Sequence, residues 1–168
     1  MPLGDHYLSI SLDNQRQVLE TNELNNIAPL GQFHIIGCDI VVDSITVDPD
    51  WLASRTLDVT WKVSNAGNAP TKAGWNDCVE LWFPSGWSWS VVKIGCVPSV
   101  CALAPNDTAY TSHLRAGLPP SVGSGECRVI VKVDADNTII ESNELNTFRS
   151  DSVTVPPSGA VPKGWTLY

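Results

Sequence analysis

Residues 57–64 have the sequence Leu57-Asp58-Val59-Thr60-Trp61-Lys62-Val63-Ser64. Apolar and polar side chains alternate strictly across this stretch. Because successive side chains of a β-strand point to opposite faces of a sheet, the alternation predicts a strand with one buried face. We expect its apolar side chains to point into a core and its polar side chains to face solvent.

Six further segments are predicted to be strands from their content of β-branched and aromatic residues. They cover residues 40–47, 79–83, 91–97, 108–114, 128–135 and 148–155. Gly- and Pro-rich turns separate many of them, and no convincing amphipathic helix is found. The pattern predicts an all-β fold, a seven-stranded β-sandwich of the immunoglobulin or fibronectin III type.

The composition limits the classes of partner. The chain has 168 residues, 43% of them hydrophobic, and a formal net charge of −8. Because an acidic chain with scattered Lys and Arg repels phosphate backbones, nucleic acid is not an expected partner. No apolar run approaches the roughly 20 residues that cross a bilayer, and no signal-peptide pattern is found, so membrane insertion is not expected.

A short motif occurs twice in the chain. Glu20-Thr21-Asn22-Glu23-Leu24-Asn25-Asn26 recurs 121 residues later as Glu141-Ser142-Asn143-Glu144-Leu145-Asn146-Thr147. Upstream, residues 7–14 align with residues 130–137 at an offset of 123, which places two extra residues in the turn of the first copy. Residues 13–26 could alternatively form a short helix. The second copy follows a strong strand, however, which favours a β-hairpin in both copies.

The segment from residue 38 to residue 156 resembles the CARDB family, the cell adhesion related domain found in bacteria. The residues that carry the resemblance are 39–49, 63–70, 75–77, 103–105 and the closing motif at 133–146. The resemblance implies a seven-stranded immunoglobulin-like sandwich, repeated in tandem in large secreted or surface proteins of prokaryotes, that acts in adhesion or spacing without catalysis.

This resemblance and the repeat together predict the domain organisation. Residues 1–30 are the C-terminal hairpin of a preceding or incomplete module, and residues 31–37 are a linker. Residues 38–156 form one CARDB-like sandwich, and residues 157–168 are a tail or linker.

The cysteine content favours an oxidising, extracellular compartment. The five cysteines are Cys38, Cys78, Cys96, Cys101 and Cys127. Cys96 and Cys101 close a small loop and are the pair that we expect to form a disulfide. Cys127 lies in the inward register of its strand and is expected to be a buried thiol.

The second copy of the repeated motif collects oxygen donors of the kind that Ca²⁺ prefers. The candidate ligands are Asp134, Asp136, Glu141, Asn143 and Glu144. The alternative is that these side chains accept hydrogen bonds from the backbone and so form the turn. No cofactor is required by the sequence, and calcium, bound weakly, is the ion that the motif suggests.

Tryptophans are concentrated around one predicted hairpin. Trp75, Trp82, Trp87 and Trp89 lie within fifteen residues. Trp87 and Trp89 are two residues apart and are predicted to face the same side, where they could stack on a sugar or contact a partner protein. The alternative is that some of these rings cap the open end of the sandwich.

Catalysis is not expected from this sequence. His6, His34 and His113 are isolated, and neither a metalloprotease nor a nucleophile-elbow motif occurs. The chain is therefore interpreted as a protein that binds or assembles, and not as an enzyme.

Three functional hypotheses remain. The leading one is a module for adhesion or spacing, extracellular or at the cell surface, that contacts adjacent modules, neighbouring copies of itself, or a surface glycan or protein ligand. The second is self-assembly, in which the N-terminal hairpin adds its strands to a neighbouring copy through Tyr7, Ile10 and Leu12. The third is carbohydrate binding through the Trp-rich hairpin.

Overall fold

The computed structural model describes residues 3–22, 24–99, 101–106, 110–145 and 148–157. Nearly all of the regular structure in these ranges is β-strand. The strands are β1 (Gly4–Ser11), β2 (Ile27–Ile35), β3 (Ile40–Val47), β4 (Thr56–Asn65), β5 (Asn76–Ser85), β6 (Ser88–Pro98), β7 (Tyr110–Gly117), β8 (Gly125–Lys132) and β9 (Phe148–Val155). A short 3-10 helix, Pro49–Ser54, connects β3 to β4.

Strands β3 to β9 form a sandwich of two antiparallel sheets. One sheet has the strand order β3-β4-β7, and the other has the order β6-β5-β8-β9. The all-β, seven-stranded immunoglobulin-like sandwich predicted from the sequence is thereby confirmed. Within the described part of the chain, no helix is long and apolar enough to cross a bilayer.

The core lies between the two sheets and is built from alternate residues of each strand. As the alternation in β4 predicts, Leu57, Val59, Trp61 and Val63 are fully buried. The facing side chains of the four-stranded sheet are Val79, Leu81, Cys127, Val129 and Val131. Each large aliphatic side chain buried in this way contributes about 1.5–3 kcal/mol of hydrophobic stabilisation.

A buried carboxylate joins the two sheets. Asp77 on β5 accepts hydrogen bonds from the indole nitrogens of Trp61 at 2.9 Å and Trp75 at 3.0 Å. It also accepts one from the hydroxyl of Tyr110 at 2.5 Å. Burial raises the pKa of Asp77, against the effect of these three hydrogen bonds. Since Trp61 and Tyr110 belong to β4 and β7 of the opposite sheet, Asp77 connects the two layers.

Trp75 is therefore a core residue. Its side chain is buried, it donates to Asp77, and its ring centre lies 6.2 Å from that of Tyr110. The expectation that Trp75 belongs to an exposed contact surface is wrong, because the buried carboxylate provides the indole N–H with its hydrogen-bond partner inside the sandwich.

The loop after β4 is held by Asn65. Its buried side chain donates to the carbonyl of Ala69 at 2.8 Å and accepts from the backbone N–H groups of Asp39 and Gly67, both at 3.0 Å. A Cβ at Gly67 would lie only 2.4 Å from the carbonyl oxygen of Gly37, so this position requires glycine. These contacts explain part of the 63–70 motif physically.

The disulfide joins Cys78 and Cys96, and not Cys96 and Cys101 as predicted. Cys78 on β5 and Cys96 on β6 are direct cross-strand partners whose Cα atoms lie 4.1 Å apart. Cys101 is a free, half-buried cysteine. The short spacing of Cys96 and Cys101 misled the prediction, because the register of the sheet decides which cysteines meet. Cys127 is a buried free thiol, as expected, and burial raises its pKa.

Strands β1 and β2 form a separate two-stranded antiparallel sheet, the additional N-terminal hairpin predicted from the sequence. Strand β2 extends to Ile35, so residues 31–35 of the predicted linker 31–37 are strand. Only residues 36 and 37 of that linker connect the hairpin to the sandwich. The reason is cross-strand pairing at the end of the hairpin, where His34 Nδ1 lies 2.8 Å from an oxygen of Asp5. Asn68 of the sandwich contacts this end, with its Nδ2 atom 3.2 Å from His34 Nε2.

Candidate functional site

The outer surface of the four-stranded sheet has a shallow cavity of about 270 Å³. We call this surface the aromatic face. It is lined by Trp82, Trp89, Arg128, Ile130, Lys132 and Phe148. Because side chains of β8 alternate, Arg128, Ile130 and Lys132 point outward while the valines between them point into the core. Four neighbouring strands thus build one surface.

Each basic side chain of the aromatic face lies beside a tryptophan ring. The Cζ atom of Arg128 is 5.2 Å from the ring centre of Trp89, and the Nζ atom of Lys132 is 5.7 Å from that of Trp82. Glu80 accepts hydrogen bonds from Trp82 Nε1 at 2.8 Å and from Lys132 Nζ at 3.1 Å. Burial opposes ionisation of Glu80, but these two hydrogen bonds and the positive charges of Lys132 and Lys93 together hold its pKa below the ordinary value.

Two of the predicted contact tryptophans lie on this surface and two do not. Trp82 and Trp89 line the cavity, whereas Trp75 lies in the core. Trp87 is fully exposed in the turn between β5 and β6 and is not a strand residue, so the period of two does not place it beside Trp89. The basic residues Arg128 and Lys132 were missed, although their alternation with buried valines was visible in the sequence.

The first of the candidate calcium ligands, Asp134, is engaged by the backbone. One of its oxygens accepts from the N–H of Thr138 at 3.0 Å, and the other accepts from the N–H of Ile139 at 2.8 Å. Asp134 itself has a left-handed φ of 45°. This is the turn that the alternative interpretation predicts, in which an Asp side chain caps the backbone of the following residues.

Three other candidate ligands accept hydrogen bonds from different donors. Asp136 is exposed and accepts from the Asn76 side chain at 2.7 Å, while Asn143 accepts from the backbone of Leu145 at 3.2 Å. Glu144 accepts from the backbone N–H of Glu141 at 2.9 Å. Within the described ranges, no three His, Cys, Asp or Glu side chains form a group that could hold a metal ion. The calcium site stays a prediction without an assembled set of ligands.

The remaining candidate ligand, Glu141, is a buried residue. Its side chain is buried, and Oε2 accepts from the backbone N–H of Ile40 at 2.5 Å, joining the loop after β8 to the start of β3. Its other oxygen, Oε1, is buried without a hydrogen-bond partner among the described residues. Burial raises the pKa of Glu141 to about 7 against the Ile40 hydrogen bond, and the carboxylates of Glu144, Asp134 and Asp39 add to the rise.

Glu141 is expected to make the stability of the fold depend on pH. Because the folded chain binds this proton more tightly than the unfolded chain, its contribution is full below about pH 4.5 and is lost as the pH rises to about 7. Glu141→Gln removes the titration, so the variant should lose less stability than the native chain across this window. The difference should be about 1–3 kcal/mol, the usual effect of a buried unpaired polar group.

The measurement is the free energy of unfolding by urea at several pH values, for the native chain and the variant. Asp136→Asn is the matched control, since Asp136 is an exposed carboxylate of the same loop. If the free energy of unfolding depends on pH in the same way in Glu141→Gln and in the native chain, the assignment of this pH dependence to Glu141 is contradicted.

Two of the three histidines, His34 and His113, contact a carboxylate on the neighbouring strand. His34 contacts Asp5 at 2.8 Å, and His113 contacts Asp58 at 2.7 Å. Burial opposes ionisation of Asp58, but His113 and Arg115 lower its pKa below the ordinary value. These contacts give His34 and His113 a role in strand pairing.

The residues predicted for strand addition do not share one face of the hairpin. Leu8 and Ile10 lie on the same face of β1, and Leu12, directly after the strand, continues the same even spacing. Tyr7 lies on the opposite face. We call the surface formed by Leu8, Ile10 and Leu12 the apolar face of the hairpin. The assignment of Tyr7 to it is wrong for this geometric reason.

Comparisons with known proteins describe the fold. No family model and no curated protein matches the sequence. Among solved structures, the chain is similar to a CARDB domain from Pyrococcus furiosus in complex with di-metal ions, at 16% identity and a TM-score of 0.47. The aligned part covers 73% of this chain and 96% of that domain. The solution structure of the same domain gives 16% identity, a TM-score of 0.49, and coverage of 71% and 96%.

A second similarity is to a much longer protein. The chain aligns with β-glucosidase 3B from Thermotoga neapolitana at 15% identity and a TM-score of 0.50, over 74% of this chain. The aligned part is 17% of the glucosidase chain, so the likeness concerns a fold and not the activity of that enzyme. The CARDB domain is thus among the structural neighbours, as the sequence motifs led us to expect.

Proposed function

We propose that the chain is a non-catalytic β-sandwich module of an extracellular or cell-surface repeat protein, which spaces adjacent modules and contributes adhesive contacts. The fold supports the modular part of this proposal, since residues 40–155 form one sandwich with its own core. The N-terminal hairpin, whose loop carries the first copy of the closing motif, supports a tandem arrangement.

The disulfide supports the extracellular part of the proposal. Cys78 and Cys96 are bridged between adjacent strands, and disulfides persist mainly in oxidising compartments. Because the loop that the bridge closes belongs to the four-stranded sheet, the bridge also stabilises the sheet that bears the aromatic face.

The aromatic face is the single observation that carries the adhesive part. Trp89 is 44% exposed and lies with Trp82 and Phe148 on one surface, where aromatic rings offer flat apolar area to a ligand. Arg128 and Lys132 add hydrogen-bond donors. Rings for stacking combined with donors suit the apolar faces and hydroxyl oxygens of a sugar, so a glycan is the class of ligand that we propose.

A glycan array followed by titration of tryptophan fluorescence tests this function. The oxidised chain should bind at least one class of oligosaccharide, with a change in fluorescence. Trp89→Ala should weaken that binding by about tenfold or more, the effect of losing about 1.4 kcal/mol at a buried contact. Trp87→Ala is the matched control, because Trp87 is an exposed indole outside the cavity, and its affinity should be unchanged. A silent array, or equal losses in both variants, would remove the glycan from the proposal.

A further inference from the structure

The loop after β1 repeats the hydrogen bonds of the loop after β8. In both loops an Asp with left-handed φ, Asp13 at 44° and Asp134 at 45°, accepts from two following backbone N–H groups. The bonds are Gln17 N to Asp13 Oδ1 at 2.7 Å and Val18 N to Asp13 Oδ2 at 2.9 Å, against Thr138 N to Asp134 Oδ1 at 3.0 Å and Ile139 N to Asp134 Oδ2 at 2.8 Å. The two loops are therefore copies in structure as well as in sequence.

These bonds correct the alignment of the two copies. Asp13 corresponds to Asp134, and Arg16 with φ 52° corresponds to Asn137 with φ 51°, so the offset is 121 from β1 through the closing motif. The offset of 123 inferred upstream, with two extra residues in the turn, is wrong. It matched Asp13 with Asp136 because both precede an Asn, whereas the hydrogen bonds give the role of Asp13 to Asp134. The copies differ instead by one bulged residue in β2, opposite the step from Leu8 to Ser9.

The corrected register shows what the apolar face of the hairpin corresponds to. At an offset of 121, Leu8, Ile10 and Leu12 are the counterparts of Val129, Val131 and Val133. The three valines are at most 1% exposed, whereas Leu8, Ile10 and Leu12 are 53%, 45% and 61% exposed. The hairpin thus has the core-facing pattern of β8, but no core formed by the described residues covers it.

The edge of the hairpin leads to the same conclusion. Strand β8 is paired on both sides, with β9 and with β5. Its counterpart β1 pairs with β2 and with no other strand of the described chain. A two-stranded hairpin is marginally stable in water without further strands. The apolar face and the open edge of β1 correspond to the face and the edge through which β8 contacts the other five strands of the sandwich.

The closing loop supplies one more equivalent residue. In the complete sandwich, Glu141 accepts from the backbone of Ile40 at the start of the first strand. At the same offset its counterpart is Glu20. The first copy therefore has the residue that would meet the first strand of a preceding sandwich.

We propose that β1 and β2 are the last two strands of a second sandwich, and that their apolar face is covered by a five-stranded half-sandwich with the architecture of β3–β7, joined ahead of the hairpin in the same polypeptide. This inference deepens the proposed repeat arrangement and rests on it. The argument for the same polypeptide is chain order: in the complete sandwich, only residues 118–124 separate β7 from β8. A connection of that length gives the half-sandwich a high effective concentration at the hairpin.

A fusion tests the proposal with the full chain. Residues 38–121 of this sequence are placed directly ahead of Met1. Met1 then follows residue 121, in the position that Val122 has in the complete sandwich, and the offset of 121 is kept. The measurement is hydrogen exchange of the β1 and β2 amides, followed by mass spectrometry. Because β1 gains a second paired edge and a covered face, its amides should exchange about a hundredfold or more slowly in the fusion than in the native chain.

Two substitutions in the fusion control for the face involved. Ile10→Asp places a charge on the apolar face and should abolish the protection. Ser9→Asp, on the opposite face of the same strand, should leave it intact. Amides of β1 that exchange equally fast in the fusion and in the native chain would overturn the proposal, and so would equal effects of the two substitutions.

The same experiment distinguishes other occupants. If residues 38–121 supplied as a separate, co-expressed chain protect β1 as well as the fused segment does, the assignment to the same polypeptide is overturned. Concentration-dependent oligomers of the native chain that are lost in Ile10→Asp would instead assign the face to neighbouring copies. Glycan binding by the aromatic face is measured separately, so failure of that function leaves the exchange result interpretable.

Discussion

Replacing Asp77 by alanine is expected to lower the free energy of unfolding by about 3–5 kcal/mol. The substitution leaves the indole N–H groups of Trp61 and Trp75 and the hydroxyl of Tyr110 without their acceptor inside the sandwich. Because a domain of ordinary stability has about 5–15 kcal/mol in total, this loss is a large fraction of the stability of the fold. Thermal and urea denaturation followed by far-UV circular dichroism measure the loss.

Tyr110→Phe is the matched control for Asp77. It removes one donor and leaves the carboxylate with two, so it should cost about 1 kcal/mol. Asp77→Asn should lie between the two variants, since it retains one acceptor oxygen but presents an N–H2 group to a donor. Equal losses in Asp77→Ala and Tyr110→Phe would contradict the view that this carboxylate joins the two sheets.

Loss of the disulfide is expected to cost about 3 kcal/mol, the value that the loop-entropy relation gives for a bridge of sequence separation 18. Cys78→Ala combined with Cys96→Ala should show this loss in urea denaturation. The physical reason is that the bridge restricts the unfolded chain between β5 and β6, so its removal raises the entropy of the unfolded state.

Cys101→Ala provides the control, because Cys101 is free and only half-buried. Its loss of stability should be well under that of the double variant. Peptide mapping of the unreduced chain should recover Cys78 linked to Cys96, while Cys101 reacts with an alkylating reagent. A peptide linking Cys96 to Cys101 would contradict the structure and restore the pairing predicted from sequence spacing.

Much of the fold could be predicted because it depends on local periodicity. The alternation in residues 57–64 identified a strand and also the side chains that are buried, since the geometry of one strand decides both. The same rule placed Cys127 in the core. The outward residues Arg128 and Lys132 were open to the same reasoning, but they were not recognised as a site because their tryptophan neighbours lie on other strands.

The candidate site could be predicted only in part. Tryptophan content indicated an aromatic surface, yet Trp75 and Trp89 differ in location for reasons that composition does not contain. Trp75 finds a buried carboxylate, whereas Trp89 lies on the solvent side of β6 beside Arg128. The oxygen-rich closing motif had two chemically reasonable interpretations, and the directions of the Asp134 and Glu141 side chains support the turn.

The sequence by itself determined the strands, the sandwich class and the existence of two copies of a closing hairpin, because these follow from periods of two residues and from identity along the chain. Only the tertiary structure decided that Cys78 pairs with Cys96, that Asp77 joins the sheets and that the copies are offset by 121 residues throughout. These features depend on the register between strands that are distant in sequence, and on the direction of individual hydrogen bonds. Neither quantity is encoded in the pattern of any single segment.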